Sequence, residues 1–290
     1  MKAIVPIVLW SIFLAAGAFA QDPPTTYLAE EDTFSFGAAE FDTLAVTAER
    51  VSVEEIIRAI SERLEADQAR VRTHESTLLL TLIAHESHDP DCDDYTIYES
   101  AERQRVERGS SIQTVQLWER ERKYRDGVLE EDEDEEKDAQ GEEMQAQWHD
   151  IGQGLSIAAP FDNDSGDKYR YELEDRALVG NNVVYRIGFA PKNRFDALPS
   201  GTVWVDYTDL VLRRIEARYT DAVPVPLFLK AVPFLRITQK KVGDYWVADE
   251  VHARAVLRSL PIPDWPATME MRMVVKDHVI NGTAYPEDER

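Results

Sequence analysis

Ten consecutive residues gather the side chains best able to do chemistry: His85-Glu86-Ser87-His88-Asp89-Pro90-Asp91-Cys92-Asp93-Asp94. Two imidazoles, a thiol and five carboxylates are the donor types that hold Zn²⁺. The spacing argues against a site. An H-x-x-H at the end of a strand sends its rings to different sides, no second ligand pair follows downstream, and the Asp positions lack the glycine of an EF-hand loop. The stretch therefore reads as an acidic surface loop, with no metal assigned. Cys92 lies among aspartates, which raise a thiol's pKa and make it a poor nucleophile. The chain has no G-x-S-x-G, no P-loop, no dinucleotide fingerprint and no H-E-x-x-H. Carboxylates are too abundant for any pair to stand out as acid and base. No catalytic residue and no cofactor is assigned, and the chain is not read as an enzyme.

The remaining signal is apolar. Met269, Met271 and Met273 alternate with Glu270, Arg272 and Val274 and so share one face of a strand. Thioethers adapt to irregular shapes, which suits acyl chains; ordinary core packing is the plainer use of the same stripe. Val223–Leu235, VPVPLFLKAVPFL, is apolar and carries three prolines. It reads as a lid over a cavity or as a crossover tucked against the sheet edge, with a short helical turn over 227–232. Pro224 and Pro226 exclude a regular central strand before it.

These residues need elements to carry them. Ser52 and Glu55 form a capping box, Val51 and Ile56 are placed as a hydrophobic staple, and Val53, Ile56, Ile57, Ile60 and Leu64 make a helical stripe running to about Arg70. Thr77–Ala84 reads as a strand, though its continuous apolar run also allows a helix. Tyr95–Ser100 reads as a strand or turn. Glu102–Glu107 and Ser111–Arg120 follow as a polar hairpin suited to a sheet edge. Glu130–Glu143 holds ten acids and one lysine. Such a block repels itself, so it reads as a solvated insert or as a docking tail for a basic partner or divalent cations. From Tyr169 to Val279 the pattern is an antiparallel meander. Val183, Tyr185, Ile187 and Phe189 share a face, Thr202–Tyr207 and Leu210–Tyr219 follow, and the pair Arg236–Val242 and Tyr245–Leu257 turns at Gly243-Asp244.

Residues 1–20 combine Lys2, an apolar run and Ala18-Phe19-Ala20, the pattern of a secretory signal cleaved after Ala20. Periplasmic export follows, with no transmembrane segment expected in the mature chain. The division expected is 1–20 signal, 21–50 acidic arm, 51–280 one domain carrying the acidic insert 130–143, and 281–290 tail. The formal net charge of −23 excludes nucleic acid as a partner and repels anionic surfaces. A single cysteine permits no internal disulfide, so the domain must hold itself together by burial.

Three pieces, GNNVVYRIGFAPK, GTVWVD and RRIE, within the order signal–helix–strands, resemble the LolA/LolB-like superfamily, the lipoprotein-sorting type of periplasmic domain. The resemblance covers about 52–275 and is strongest over 169–256. It implies an α+β fold: a strongly curved, unclosed antiparallel β-sheet (half-barrel) wrapped around one or more helices. It also implies an apolar hollow that holds a lipid or a lipidated protein. No family residue role is carried over. The residues expected to line the hollow are Tyr185, Ile187, Phe189, Trp204, Met269, Met271 and Met273, with Leu227, Phe228 and Phe234 as lid. The alternative is a non-catalytic envelope scaffold that docks a basic protein through the acidic insert.

Overall fold

The computed structural model describes residues 52–88, 92–108, 112–135, 161, 165–179, 182–219, 222–223, 226–261 and 265–285. Helix α1 (Val53–Arg70) begins as its sequence dictates. The Ser52 hydroxyl accepts from the Glu55 N–H and the Glu55 carboxylate accepts from the Ser52 N–H at 2.8 Å. The Ser52 backbone N–H, more than its hydroxyl, holds the Glu55 carboxyl below the usual carboxylate range. No glycine closes the other end. Asn281, from the far end of the chain, donates its amide to the Arg70 carbonyl and accepts from the Arg72 N–H at 2.7 Å. Val51, the other half of the staple, lies outside the described residues, as do residues 1–20 and 21–50, expected as leader and acidic arm.

Among the described residues, twelve strands form one antiparallel sheet. β1 (Thr73–His85), β2 (Tyr95–Glu107), β3 (Gln113–Arg125) and β4 (Val128–Glu135) run outward from the centre. β5 (Tyr169–Val179), β6 (Asn182–Pro191), β7 (Ser200–Asp206), β8 (Val211–Arg218), β9 (Leu229–Val242), β10 (Tyr245–Leu257) and β11 (Thr268–Ile280) run inward from the other edge. The short helix α2 (Ser165–Lys168) precedes β5, and β12 (Thr283–Ala284) pairs with the end of β11. The two wings join where β1 pairs with β11, and β4 and β5 are the outer strands of the described sheet, which does not close. Bulges at Glu75/Thr77, Ala101/Glu102, Lys123/Tyr124, Leu173/Asp175, Trp204/Val205 and Ala248/Glu250 bend it. The expected class, an unclosed, curved antiparallel sheet with few helices, is the class found.

Three local expectations change. Tyr95–Glu107 is one strand, with a bulge where two pieces were expected. The first part of the acidic block is not a solvated loop: β4 runs through Glu135, and residues 136–143 lie outside the described residues. Its neighbour supplies the reason. β3 sets Arg120, Arg122 and Lys123 opposite Asp134, Asp132 and Glu131, and a Gly127 turn at positive φ joins the two strands. The third change is at 227–232, where a turn at 226–228 leads straight into β9 and no helix forms. Pro233 sits inside β9 because the β10 ladder breaks there, between Ala231 and Phe234, and the pairing with β8 extends only to Leu235. Its missing N–H therefore costs no ladder bond.

The main core joins α1 to one face of the sheet. Ile56, Ile57 and Ile60 pack with Tyr185, Ile187, Phe189, Val203, Val205 and Leu212. Phe161, fully buried, is pinned by the Ser61 hydroxyl donating to its carbonyl and by an edge-on contact with Phe189. A second cluster, at the end of the sheet where β1 finishes and β11 begins, joins Leu82, Ala84, Leu229, Val232, Ala255, Leu257 and Met269.

Candidate functional site

The two faces of the sheet differ in kind. On the helix side, β11 sets Met273, Met271 and Met269 opposite Leu80, Leu82 and Ala84 of β1. On its other flank the same methionines face Val251, Ala253 and Ala255 of β10. The alanines leave room that the flexible thioethers fill. Alternation does this work: each strand sends every second side chain to this face. One helix does not cover it all. Tyr171, Leu173, Leu198, Leu235 and Met271 pack against the main cluster yet stay only partly buried.

The opposite face is a ladder of charge. Arg186 pairs with Glu174 at 2.7 Å, Arg214 and Arg236 converge on Glu216, His252 and Glu270 share a hydrogen bond at 2.9 Å, and Arg272 pairs with Glu250 at 2.6 Å. The His252 hydrogen bond keeps the Glu270 carboxyl low, against the opposing pull of burial. A groove of about 590 Å³ crosses this face near the β5 edge, bounded by Arg170, Glu172, Gly188, Thr202, Arg218 and Phe234.

The ten residues expected to line a hollow separate accordingly. Tyr185, Ile187, Phe189, Met271 and Met273 meet in the helix-side core, where Ile187 is fully buried and packed. Met269 belongs to the second cluster, and Phe228 packs onto it beside Trp265, their rings 6.0 Å apart. Leu227 points away, 66% exposed. Trp204 and Phe234 lie on the charged face. The Arg214 guanidinium covers the Trp204 ring at 4.8 Å, and Phe234 meets His252 edge-on at 5.0 Å. The structure thus gathers seven of the ten around the helix-side face, sends two to the other and leaves one exposed.

Three residues at this face were not singled out in the sequence. Trp265 closes the end of the second cluster, its indole N–H donating to the Arg258 carbonyl at 2.9 Å. His74 and His278 stack within the helix-side wall, ring nitrogens 3.1 Å apart, and burial pushes the His74 imidazole below its ordinary pKa. Nothing local marks them, because β1 and β11 meet across 204 residues. Asp206, the acid of the GTVWVD piece, is a structural residue. It is fully buried, accepts from the Thr208 and Asp209 N–H groups and pairs with Arg213.

The ten-residue donor cluster is dispersed. His85 sits against the Tyr95 ring and Glu86 pairs with Arg125, while His88 is exposed. Asp89, Pro90 and Asp91 lie outside the described residues. Among the described residues no group of three or more His, Cys, Asp or Glu is placed to hold a metal. No helix among them is long and apolar enough to cross a membrane. The chemistry this arrangement offers is apolar burial on one face and charge pairing on the other.

No protein-family model and no curated protein sequence matches the chain. Among solved structures it is similar to an outer-membrane lipoprotein-sorting protein domain from Vibrio parahaemolyticus, at 12% identity over 76% of this chain and 91% of that one, with a TM-score of 0.34. A DUF1329 family protein from Desulfovibrio piger matches at 11% identity over 79% and 93%, with a TM-score of 0.34. A LolA superfamily protein from Nitrosomonas europaea matches at 11% identity over 81% and 94%, with a TM-score of 0.31.

Proposed function

We propose that this chain is an exported, non-catalytic envelope protein that holds a lipid or a lipidated protein on the helix-side face of its sheet. The observation that carries this reading is the mismatch between that face and its cover. Apolar side chains from β1 and from β5 to β11 form a continuous surface, and α1 is the one long helix described against it, leaving Met271, Leu235, Leu173 and Tyr171 partly exposed. An acyl chain laid beside α1, or in its place, would bury that remainder. Each buried methylene contributes about 0.8 kcal/mol, so a short stretch of chain suffices for binding. Met269, Met271 and Met273 would adapt to the chain's shape, and Phe228 with Trp265 would close one end. The periplasm is the compartment that the leader and the sequence resemblance favour.

Lipid extraction and mass spectrometry of the purified mature protein test this. The expected result is a co-purified acyl lipid and, after delipidation, uptake of a fluorescent fatty acid that Met271→Glu weakens. Finding neither lipid nor uptake overturns the reading.

One observation favours the scaffold alternative: β4, an outer strand of the described sheet, exposes Glu131, Asp132, Glu133 and Asp134. In that reading a basic protein docks along β4 and the sheet is its support.

A further inference from the structure

We infer that one end of the sheet is a docking surface for an anionic phospholipid bilayer. Antiparallel pairing brings the β6–β7, β8–β9 and β10–β11 loops to the same end. Two of them hold a large apolar side chain out in solvent: Phe195 is 75% exposed and Leu227 66%.

Hydrogen bonds hold the described residues on either side of each tip. The Asn193 side chain accepts from the Phe195 N–H at 3.2 Å and donates to Asp196 at 2.8 Å, fixing a tight turn with Phe195 at its tip. Arg258 donates from its side chain to the Pro226 carbonyl and from its backbone to the Phe228 carbonyl, clamping the chain on both sides of Leu227. An apolar tip that could fold back but is hydrogen-bonded outward is built to enter an apolar phase. The two loops are about two strand spacings apart, roughly 10 Å, so both tips can reach one plane.

Charge singles out the occupant. Across 191–199, 218–230 and 256–268 the chain carries five Lys/Arg (Lys192, Arg194, Arg218, Lys230, Arg258) against three Asp, within a protein of net charge −23. Arg194 lies over the Phe195 ring, beside the tip. At the same end of the other wing, 86–94 carries five acids and no Lys or Arg. A protein partner could meet apolar tips with any charge. Apolar tips on loops with a cationic excess, one of them with Arg194 over its ring, match an interface of acyl chains beneath anionic headgroups. The net charge does not forbid this, because screening over about 8–10 Å lets the local patch act.

The test is co-sedimentation of the mature protein with phosphatidylcholine vesicles, with and without about one-third phosphatidylglycerol, the composition that supplies the headgroup charge. Wild-type protein is expected to bind the anionic vesicles and to release them as salt rises. F195S/L227S should lower binding at least tenfold. R194E should lower it on anionic vesicles and leave phosphatidylcholine unchanged. All three positions are solvent-exposed, so thermal unfolding should stay at the wild-type temperature. An F195W variant should show a blue-shifted tryptophan emission with anionic vesicles. The proposal is overturned if wild-type protein ignores anionic vesicles at low salt, if F195S/L227S binds like wild type, or if the F195W emission does not move.

Discussion

The two wings of one sheet are held together by different forces. From β5 to β11, and into β1, buried Ile, Val, Leu and Met side chains press against α1. In β2 to β4 the buried hydrophobic residue is Ala101 alone, among the described residues, and charge takes the place of apolar contact. Arg122 reaches Glu99 on β2, Arg120 grips Asp132 on β4 with two hydrogen bonds, and Arg125 joins Glu86 and Asp94. The comparison shows that backbone pairing can extend a sheet well past its core, provided like charges are answered across the strands. It also separates roles. A wing stabilised by burial has a continuous apolar face to offer a ligand, while the wing held by ion pairs offers charge with scattered exposed side chains such as Val128 and Leu129.

Emptying the apolar wing is the hardest test of this division. Ile60 is fully buried between α1 and the sheet. Ile60→Ala should cost about 2–5 kcal/mol in urea unfolding. Amide exchange should accelerate in β5 to β8 and remain unchanged in β3 and β4. Equal acceleration in both wings would show that they share one core.

Acidification should sharpen the contrast next. Burial depresses the His74 pKa, so the folded state resists a proton that the unfolded chain accepts. Stability from this group is complete above the unfolded value of about 6.5 and is lost as pH falls from there toward the folded value. One proton allows a slope of at most about 1.4 kcal/mol per pH unit. His74→Gln should flatten the fall in melting temperature between about pH 7 and pH 5, below the ordinary histidine pKa. An unchanged profile would remove His74 from the account.

The smallest effect belongs to the charged wing. Arg120→Gln frees Asp132, whose carboxyl the Arg120 hydrogen bonds hold below its usual range. The pair is solvent-exposed, so global stability should barely change, while exchange at the β4 amides should quicken at low salt. At about 1 M salt, where screening acts within about 3 Å, wild type and variant should converge. A difference that persists in salt would mean β4 is held by packing.

Most of the strand order was legible in advance because its signals are local. Period-two alternation marks β6, β7 and β11, Gly243-Asp244 marks the turn between β9 and β10, and Asn281-Gly282 marks the end of β11. The acidic strand was misread because an isolated block of carboxylates does repel itself. Only the register of β3, which sets Arg120 and Arg122 across from Asp134 and Asp132, reverses that balance. Trp204 and Phe234 were assigned with the apolar set by residue type, yet bulges and pairing decide which face a side chain takes. Trp204 alternates with the buried Val203 and Val205 and so takes the opposite face, the extra residue of the β7–β8 irregularity being Arg213 on β8, while Phe234 lies opposite Arg254 beside a bulge in β9.

By itself, then, the sequence determined what depends on near neighbours: the capped helix at Ser52, the antiparallel meander, the apolar stripe of Met269, Met271 and Met273, and the absence of a familiar catalytic motif. Tertiary structure alone decided what depends on distant ones. It joined β1 to β11, stacked His74 on the buried His278, drew Phe161 into the main core and set Trp265 against the second cluster, and brought the Phe195 and Leu227 loops to one end. Local periodicity fixes which side chains share a face of one strand. That the two wings meet along β1 and β11 is set by contacts between residues 183 (His85 to Thr268) to 206 (His74 to Ile280) positions apart, to which no local pattern points.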